Sequence, residues 1–344
     1  MSKKISIAID AMGGDNSPDK IIEAIKFFID KYDKNDDFVL NLFGKEEEIL
    51  KKVSKYNVSL KHINIINSDK KISNEQTPLT AIKNSKDTSM WNCLKHQLDR
   101  KSDISLSAGN TGVLLVVSKM ILKMIDEVSK PALAALWPSQ TGMSVVLDLG
   151  ANIDCDAQNL LEFSELGSAL YKSLYPNLKP KVSLLNIGSE EVKGTEEIRL
   201  ASKKLRNLSK EDNFVYNGYI EGNEIMSGKA NVIVTDGFTG NIALKTAEGT
   251  AKFIIKNLKS SLTENFFTKI SLIFSYFSLK KFQKKLDPRK YNGAILLGLN
   301  GPVVKSHGGT DSTGFFHSID LCYKIVKGDL MTLVKTNLKN LKNV

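Results

Sequence analysis

Short apolar stretches alternate along this chain with segments in which apolar residues recur at helical spacing. Stretches of four to eight such residues, rich in Ile, Val, Leu and Phe, are typical of buried strands. We predict strands at residues 6–11, 38–43, 63–67, 104–107, 132–136, 144–149, 182–187, 231–235 and 294–297. Because helical patterns fall between them, strand–helix–strand units around a mainly parallel sheet are expected.

The helical segments carry local start signals. Ser17 and Pro18 form an N-cap and a first helical position, and the apolar residues Ile21, Ile25 and Phe28 follow at helical spacing. Residues 157–174 and 238–258 are further amphipathic candidates. Since no repeat or low-complexity linker interrupts the chain, we predict one domain over residues 1–344, in which any subdivision falls near 140–180.

Composition supports a globular protein. Of 344 residues, 42% are hydrophobic and only 8 are proline, which excludes collagen-like, disordered and coiled-coil chains. Cys93, Cys155 and Cys322 have no paired spacing, so we expect small buried residues there instead of a disulfide or zinc site. With no stretch long enough for a signal peptide or a spanning helix, we expect a cytoplasmic protein.

The net charge of +10 is concentrated in one segment. Residues 251–290 contain ten basic and two acidic side chains, so this segment carries +8 of the total. Of the 48 basic residues in the chain, 44 are lysine, whereas arginine is the residue best suited to reading base edges. We therefore expect no nucleic-acid partner.

Within the basic segment, residues 262–286 show apolar side chains at helical spacing, flanked by lysines. We predict a protruding amphipathic helix that lies against an anionic membrane, or one that packs in a dimer interface or the core with its lysines extended to solvent, and the pattern fits both. The residues expected to make this contact are Phe266, Ile270, Phe274, Phe277, Lys280, Lys281, Lys284 and Lys285.

Glycine-rich polar turns follow several predicted strands. Ligands of open α/β sheets bind outside the carboxyl ends of strands, so these turns are candidate sites. The first turn contains Asp10, Gly13, Gly14 and Asp15. Its glycines permit close backbone approach, and its carboxylates could hold a cation or orient a donor. The alternative is a tight turn in which one of the acids caps a helix.

The second turn, residues 107–112, joins a strand to an apolar helical run. A helix N-terminus after small residues directs free N–H groups and the positive end of the helix dipole at one point, which suits a phosphate. An ordinary strand-to-helix connection with an Asn or Thr cap is the alternative. The candidate phosphate-binding residues are Ser107, Gly109, Asn110, Thr111 and Gly112.

Further turns repeat the pattern. Asn152 lies in one such turn, and Gly188 and Lys193 lie in another. The lysine could stabilise an anion or a developing oxyanion, and a solvated lysine with no role is the alternative. His307 is in a glycine-rich turn, where an imidazole can transfer protons near neutral pH. A solvent-exposed histidine with no role is the alternative. The turn before the helix at 238–258 contains Asp236, Gly237, Gly240 and Asn241.

Several catalytic signatures are missing. The sequence has no Gly-x-Gly-x-x-Gly after a strand, no P-loop, no Gly-x-Ser-x-Gly, no His-Glu-x-x-His and no Cys-x-x-Cys. These absences disfavour dinucleotide chemistry of the Rossmann type, covalent serine catalysis and zinc hydrolysis. We predict no metal ligands.

Taken in order, the turn motifs resemble those of the phosphate acyltransferase family of bacterial phospholipid synthesis, the PlsX family. The resemblance extends from about residue 5 to residue 325. The matching motifs are residues 11–15, 107–112, 148–152, 185–188 with 193–194, 218–222, 236–241 and 306–308.

This resemblance implies a three-layer α/β/α fold, Rossmann-like and related to phosphotransacetylases and to isocitrate and isopropylmalate dehydrogenases. It implies a homodimer that converts acyl-[acyl carrier protein] and inorganic phosphate into acyl phosphate and free carrier protein, without a cofactor. The product would pass to a membrane-embedded glycerol-3-phosphate acyltransferase. The lysines of residues 262–286 could then dock the acidic carrier protein instead of lipid.

The implied chemistry assigns roles to the candidate residues. The turn at 107–112 binds phosphate, Lys193 stabilises the oxyanion with donors near Gly188 and with Asn241, and His307 or Asp236 handles the proton. Rival interpretations are a phosphotransacetylase-like enzyme that uses coenzyme A, a metal-dependent decarboxylating dehydrogenase that uses Asp10 or Asp236, and a non-catalytic module that binds membrane or carrier protein.

Overall fold

The computed structural model describes residues 4–32, 34, 37–72, 80, 83–208, 213–264, 275–282 and 287–341. Within these residues, eleven strands form one sheet. The strands are β1 (Ile5–Asp10), β2 (Phe38–Gly44), β3 (Ile63–Asn67), β4 (Ile104–Ser107), β5 (Ala132–Ser139), β6 (Gly142–Leu147), β7 (Lys181–Leu185), β8 (Val215–Ile220), β9 (Val232–Val234), β10 (Ala294–Leu297) and β11 (Val303–Lys305).

The sheet order is β3-β2-β1-β4-β11-β10-β5-β6-β9-β7-β8. The first five strands in this order run parallel to one another, and so do the last four. Between these two groups, the pairs β11–β10, β10–β5 and β5–β6 are antiparallel. Three successive reversals leave the two parallel groups pointing in opposite directions.

Helices cover both faces of the sheet, as the sequence predicts. Alternate strand residues define the faces: Val232 and Val234 pack in one core, and Ile233 between them packs in another. The helices are α1 (Asp19–Tyr32), α2 (Glu46–Tyr56), α3 (Ser89–Leu98), α4 (Thr111–Leu122), α5 (Ala157–Leu174), α6 (Glu196–Leu208), α7 (Gly237–Leu262), α8 (Ser312–Lys327) and α9 (Leu330–Leu341).

The larger core lies under α1, α5, α6, α8 and α9. On the other face, α3 and α4 pack over β10 and β11, and α7 packs over β5, β6 and β9. The predicted α/β fold with a mainly parallel sheet between two helical layers is therefore confirmed.

All nine predicted strands are present within the described residues, but two further strands were not predicted. β8 is only partly buried and contains Gly218, and β11 has three residues, so neither produces a long apolar stretch. The predicted helix at 157–174 has the bounds of α5, and the helix predicted at 238–258 is α7, which continues to Leu262.

The predicted start of the first helix is wrong. Helix α1 begins at Asp19, and the carbonyl of Pro18 accepts the N–H groups of Ile21 and Ile22. The Ser17 hydroxyl does not cap the helix; it donates to the carbonyl of Gly13 at 2.5 Å. Ser17 thus closes the turn after β1.

The cysteine expectation is confirmed at two positions. Cys93 and Cys322 are buried and Cys155 is half-buried, and all three are free thiols. Burial raises the pKa of Cys93 and Cys322, which keeps both as neutral thiols. Neither is activated as a nucleophile.

The basic segment is described only in part. Phe266, Ile270, Phe274, Lys284 and Lys285 lie outside the described residues. Residues 275–282 are helical, and this stretch includes the remaining predicted contact residues, Phe277, Lys280 and Lys281.

The described part of this segment exposes aromatic side chains beside lysines. The side chain of Phe277 is 82% exposed, and the Lys280 ammonium lies 5.4 Å from the ring centre of Tyr276. Among the described residues, no helix is long and apolar enough to cross a bilayer.

Candidate active site

The turns after β1, β4 and β11 meet at one edge of the sheet and form what we call the β1-edge cluster, residues 10–15, 107–112 and 305–309. The Ser107 hydroxyl donates to Asp10 Oδ2 at 2.7 Å and accepts the Gly109 N–H at 3.0 Å. The Met12 N–H donates to Asp10 Oδ1 at 3.2 Å, and the Ser306 N–H donates to the Ser107 carbonyl at 2.9 Å. A buried Asp–Ser pair therefore fixes the three turns together.

The glycines of this cluster allow backbones to approach closely. A Cβ on Gly13 would lie 2.9 Å from the nitrogen of Gly109. Gly14 has φ +79°, and a Cβ there would lie 3.0 Å from the Gly308 carbonyl oxygen, which accepts the Asp15 N–H at 3.0 Å. Larger residues at positions 13 and 14 would push the turns apart.

Helix α4 begins inside the β1-edge cluster. Asn110 is its N-cap and accepts the Val113 N–H at 3.2 Å, and the first intrahelical bond runs from Leu114 N to the Asn110 carbonyl at 2.9 Å. The N–H groups of Thr111 and Gly112 precede that bond and point out of the helix end. Together with the helix dipole, they favour an anion at this position.

Asp10 is buried within the cluster. Burial raises its pKa above the ordinary aspartate value, outweighing the opposite effect of hydrogen bonds from Ser107, Ser89, Met12 and Gly13. Because its hydrogen bonds come from residues of the turns themselves and from Ser89, the carboxyl serves to order the turns.

His307 lies at the outer side of the same cluster. Burial lowers its pKa below the ordinary histidine value, and Lys305, Lys245 and Lys252 lower it further against an opposing effect of Glu248. The imidazole is therefore neutral at pH 7. Three of these neighbours are on α7, so α7 faces His307.

The ring of His307 has a defined orientation. Its backbone N–H donates to Asn292 Oδ1 at 3.0 Å, and the Gly309 N–H donates to Nδ1 at 3.2 Å. Because Nδ1 accepts a hydrogen bond, the proton of the neutral ring is on Nε2, which is then a donor.

The turns after β6, β7 and β9, residues 148–152, 186–194 and 235–241, form a second group that we call the β6-edge cluster. Asp148 is fully buried and orders this group: its Oδ1 accepts the N–H groups of Leu133, Gly150 and Ala151 at 3.0 to 3.1 Å. Its Oδ2 accepts both the backbone and the side-chain N–H of Asn152 at 2.8 Å. Burial nevertheless raises the pKa of Asp148.

The N-terminus of α7 packs directly on this turn. A Cβ on Gly237 would lie 2.3 Å from the Asn152 carbonyl oxygen, and one on Gly240 would lie 1.9 Å from the Asp148 carbonyl oxygen. Asp236 caps the helix, accepting the backbone N–H and the hydroxyl of Thr239 at 2.8 and 2.7 Å. Close packing explains why glycine is present at positions 237 and 240. Capping of the helix explains the aspartate at position 236.

Lys193 belongs to the turn after β7. Its side chain is 48% exposed, and its ammonium lies 4.0 Å from Glu190 Oε1. The Asn186 amide donates to the Lys193 carbonyl at 3.2 Å, and a Cβ on Gly188 would lie 3.1 Å from Lys193 Cγ. The lysine head group is thus accessible from solvent.

A groove of about 1420 Å³ runs along α7 beside the β6-edge cluster. Asn186, Thr235 and Asp236 are polar residues in its wall. The apolar residues of its wall include Trp137, Leu184, Ile198, Met226, Ile242 and Ile254. The α7 residues that line the groove lie on a different helix face from Lys245, Glu248 and Lys252, which act on His307.

The structure divides the predicted site residues between the two clusters. β1, β4 and β11 run opposite to β6, β7 and β9, so their exit turns leave opposite edges of the sheet. Three strand spacings separate β11 from β6, roughly 14 Å sideways. Helix α7 connects the clusters: it begins at Gly237 after its N-cap Asp236, the amide of Asn241 donates to the Leu149 carbonyl at 3.3 Å, and Lys245 one turn later acts on His307.

Comparison with known proteins now identifies the family. The family model described as "Fatty acid synthesis protein" matches residues 5–333. The chain is 52% identical over 338 residues to "Phosphate acyltransferase" of Pelagibacter ubique (strain HTCC1062), covering 98% of this chain and 100% of that protein. It is 39% identical to "Phosphate acyltransferase" of Parvibaculum lavamentivorans, covering 100% of this chain and 94% of that one. The chain belongs to the phosphate acyltransferase family.

Solved structures agree on the fold of this family member. EutD phosphotransacetylase from Staphylococcus aureus superposes with a TM-score of 0.61 at 15% identity, covering 94% of each chain. A phosphotransacetylase from Streptococcus pyogenes also gives 0.61, at 16% identity, covering 96% of this chain and 95% of that one. The expected relation to the phosphotransacetylase fold is confirmed, as is the expectation of an enzyme of the phosphate acyltransferase family.

Two buried lysines of this acyltransferase were missed in the sequence. Lys20 and Lys305 both lie in or against the β1-edge cluster. A signal for Lys20 was present, because a lysine in the first turn of a helix opposes the helix dipole. Lys305 had none, since β11 itself was not predicted. Across the described residues, no group of three or more His, Cys, Asp or Glu side chains is placed to hold a metal ion.

Asp148→Ala tests the role of this carboxylate in the acyltransferase fold. Because five N–H donors would lose their acceptor, we expect the free energy of unfolding to fall by ~3–5 kcal/mol. Chemical denaturation would measure it. Asp154→Ala, which removes an exposed carboxylate from the same loop, should change stability by less than ~0.5 kcal/mol. Equal effects of the two changes would contradict the role assigned to Asp148.

Proposed function

We propose that this protein transfers the acyl group of acyl-[acyl carrier protein] to inorganic phosphate, producing acyl phosphate and free carrier protein. Family membership supports the acyl and phosphate parts of this reaction. The observation that carries it is the β1-edge cluster, where glycine turns and the N-terminus of α4 surround one position suited to phosphate.

Phosphate is placed against the turn at 107–112. The outward N–H groups of Thr111 and Gly112 supply donors, and the dipole of α4 favours negative charge there. Gly13 and Gly14 leave room beside the turn. We assign no phosphate contact to Gly237 and Gly240, because both are buried against the Asp148 turn.

The chemical step needs no activated side chain as nucleophile. A phosphate oxygen attacks the thioester carbonyl, a C–O bond forms, the C–S bond breaks, and the proton of HPO₄²⁻ ends on the carrier thiol. Phosphate is already ionised at neutral pH, so the protein must chiefly orient the reactants, which can lower the barrier by ~7–11 kcal/mol.

The developing oxyanion requires donors on the side of the thioester. Asn241 is in the first turn of α7, and its side-chain amide donates one N–H to the Leu149 carbonyl at 3.3 Å, which leaves the second N–H for the oxyanion. Lys193 is the second candidate, with an accessible ammonium in the β6-edge cluster, which lies at the opposite edge of the sheet from the phosphate. Asn241 and Lys193 are therefore assigned to this role on their chemistry as hydrogen-bond donor and cation.

Guidance of the proton transfer is assigned to His307 in preference to Asp236. Both oxygens of Asp236 already accept hydrogen bonds from Thr239 in the cap of α7. His307 is neutral with its proton on Nε2, so its Nε2–H donates a hydrogen bond to a phosphate oxygen or toward the leaving sulfur and orients the transfer, while the proton itself passes from HPO₄²⁻ to the sulfur.

Incubating the purified protein with acyl-[acyl carrier protein] and phosphate tests the reaction directly. Acyl phosphate should accumulate and be trapped by hydroxylamine as the hydroxamate, with one free carrier thiol for each product formed. Acyl coenzyme A in place of the carrier thioester separates this proposal from a coenzyme A-dependent phosphotransacetylase. No hydroxamate with the carrier substrate, or formation only with coenzyme A, would overturn the proposal.

Single substitutions test the roles. We expect His307→Ala to lower kcat by ~10²–10³-fold, because a positioned hydrogen-bond donor to the reacting phosphate or sulfur is lost. Lys193→Ala should lower kcat by ~10²–10³-fold through loss of oxyanion stabilisation. Lys203→Ala, an exposed lysine on α6, is the matched control and should retain full turnover. Near-normal turnover in a folded His307 or Lys193 variant would remove that residue from the mechanism.

We further propose that residues 262–286 hold this homodimeric, cytoplasmic enzyme at an anionic membrane, where a membrane-embedded glycerol-3-phosphate acyltransferase can take the product. Exposed Tyr276, Phe277 and Phe282 beside Lys280 and Lys281 support this placement. Aromatic side chains and lysines on one short helix are typical of peptides that lie in the membrane interface.

Flotation with liposomes tests the membrane contact. We expect binding to anionic vesicles and not to neutral ones, and a loss of at least ~10-fold in bound protein for Phe277→Ser. Phe253→Ser is the matched control, because Phe253 is an exposed phenylalanine of α7 outside this segment. If Phe277→Ser floats like the wild type, the membrane proposal fails; if it instead weakens binding of the carrier protein, the segment docks that partner.

A further inference from the structure

Two lysines are buried beside the β1-edge cluster. Lys305 is the last residue of β11 and is 9% exposed, and Lys20 is in the first turn of α1 and is 6% exposed. Lysine is almost never buried to this extent without a partner that offsets the cost of removing its charge from water. The surroundings of the two ammonium groups therefore need explanation.

Both ammonium groups contact the same turn. Lys20 Nζ donates to the Gly308 carbonyl at 2.5 Å, and Lys305 Nζ donates to the Ser306 carbonyl. Ser306 in turn donates its N–H to the carbonyl of Ser107 at 2.9 Å. The lysine head groups thus lie next to the turn that precedes α4.

The two lysines share this region with two carboxylates, Asp10 and Asp15. The charged neighbour that acts on Lys305 is Lys20, a second cation, and burial together with this neighbour lowers the pKa of Lys305 to about 8. Burial also lowers the pKa of Lys20, and Asp15 opposes that effect. His307, also in this cluster, is neutral.

One hydrogen bond to a carbonyl occupies only one of the three N–H groups of an ammonium. Among the described residues Asp15 offsets the charge of Lys20, but no carboxylate acts on Lys305, and a carbonyl supplies no net charge, whereas a phosphate dianion supplies two negative charges. Two buried ammonium groups beside a helix N-terminus are a favourable environment for such an anion.

We propose that Lys305, assisted by Lys20, binds the phosphate group at the β1-edge cluster, between the turn at 306–308 and the N-terminus of α4. Lys305 is then a further phosphate-binding residue of the reaction. The identity of the anion rests on the proposed function, whereas the presence of an anion site rests on the two lysines. The ammonium groups hold the attacking phosphate and leave the Nε2–H of His307 free to donate a hydrogen bond to it.

A purely structural role gives a different expectation. If the lysines only tie down the turn at 306–308, glutamine could still donate a hydrogen bond to the same carbonyl groups and phosphate binding would be unaffected. If the charge binds the anion, glutamine fails and arginine restores part of the affinity. Charge and hydrogen bonding can therefore be separated.

Calorimetric titration of the full-length protein with inorganic phosphate provides the test, since it needs no acyl substrate. We expect Lys305→Gln to weaken phosphate binding at least 10-fold, Lys20→Gln at least 3-fold, and Lys305→Arg to stay within 5-fold of wild type. Lys26→Gln removes the same charge from α1 outside the cluster and should bind as wild type does. Thermal unfolding would confirm that each variant is folded.

Steady-state kinetics add a second readout. Lys305→Gln should raise the KM for phosphate by the same factor as the dissociation constant, with a smaller change in kcat. Equal phosphate affinity of wild type and Lys305→Gln, or no phosphate binding by the wild type, would overturn the inference. Should Lys305→Gln not fold, unchanged affinity in Lys20→Gln would overturn it. If the wild type binds phosphate but forms no acyl phosphate, and the variants lose that binding, the proposed function is refuted and the anion site stands.

Discussion

The reversal of strand direction in the middle of the sheet determines at which edge of the sheet each strand's exit turn lies. β10, β5 and β6 are consecutive antiparallel neighbours, so the parallel strands on either side point opposite ways. Strand exits that look equivalent in the sequence are therefore divided between two edges. The chain meets this constraint with α7, which begins at one edge and presents charged side chains to His307 at the other.

The two edges are built on the same physical device. At each, a buried aspartate follows the end of a strand, and its carboxylate is held by hydrogen bonds from the turn that follows: Asp10 by Met12 and Ser107, and Asp148 by residues 150–152. Burial raises the pKa of both carboxyl groups, which means that burying each charged carboxylate costs free energy. In return, its hydrogen bonds fix the conformation of the turn. The geometry of the turns then depends little on side chains at the surface.

Much of this molecule could be predicted from its sequence, because apolar stretches and helical spacing reflect burial directly. Nine of the eleven described strands and the helix α5 belong to this predictable part. Motif order also identified the family. What a single sequence could not provide was strand direction across the sheet, since β11 pairs with β4 across 198 positions and β10 pairs with β5 across 159 to 165 positions.

Other omissions have equally physical causes. Lys305 ends a strand of three residues that leaves no periodic signal, and Lys20 could be recognised only by its conflict with a helix dipole. Gly237 and Gly240 suggested a ligand, but glycine is also required where two backbones touch, and the sequence does not distinguish these needs.

The contact of Gly237 and Gly240 with the Asp148 turn fixes the first turn of α7 in place. At 26 residues the helix is roughly 39 Å long, so a tilt of about 5° around its tightly packed first turn moves the far end by ~3 Å. The C-terminal half of α7 belongs to the basic segment, and Lys245 and Glu248 lie nearer the middle of the same helix. Any change in the tilt of α7 would therefore move Lys245 and Glu248 relative to His307 and alter the electrostatic surroundings of the imidazole.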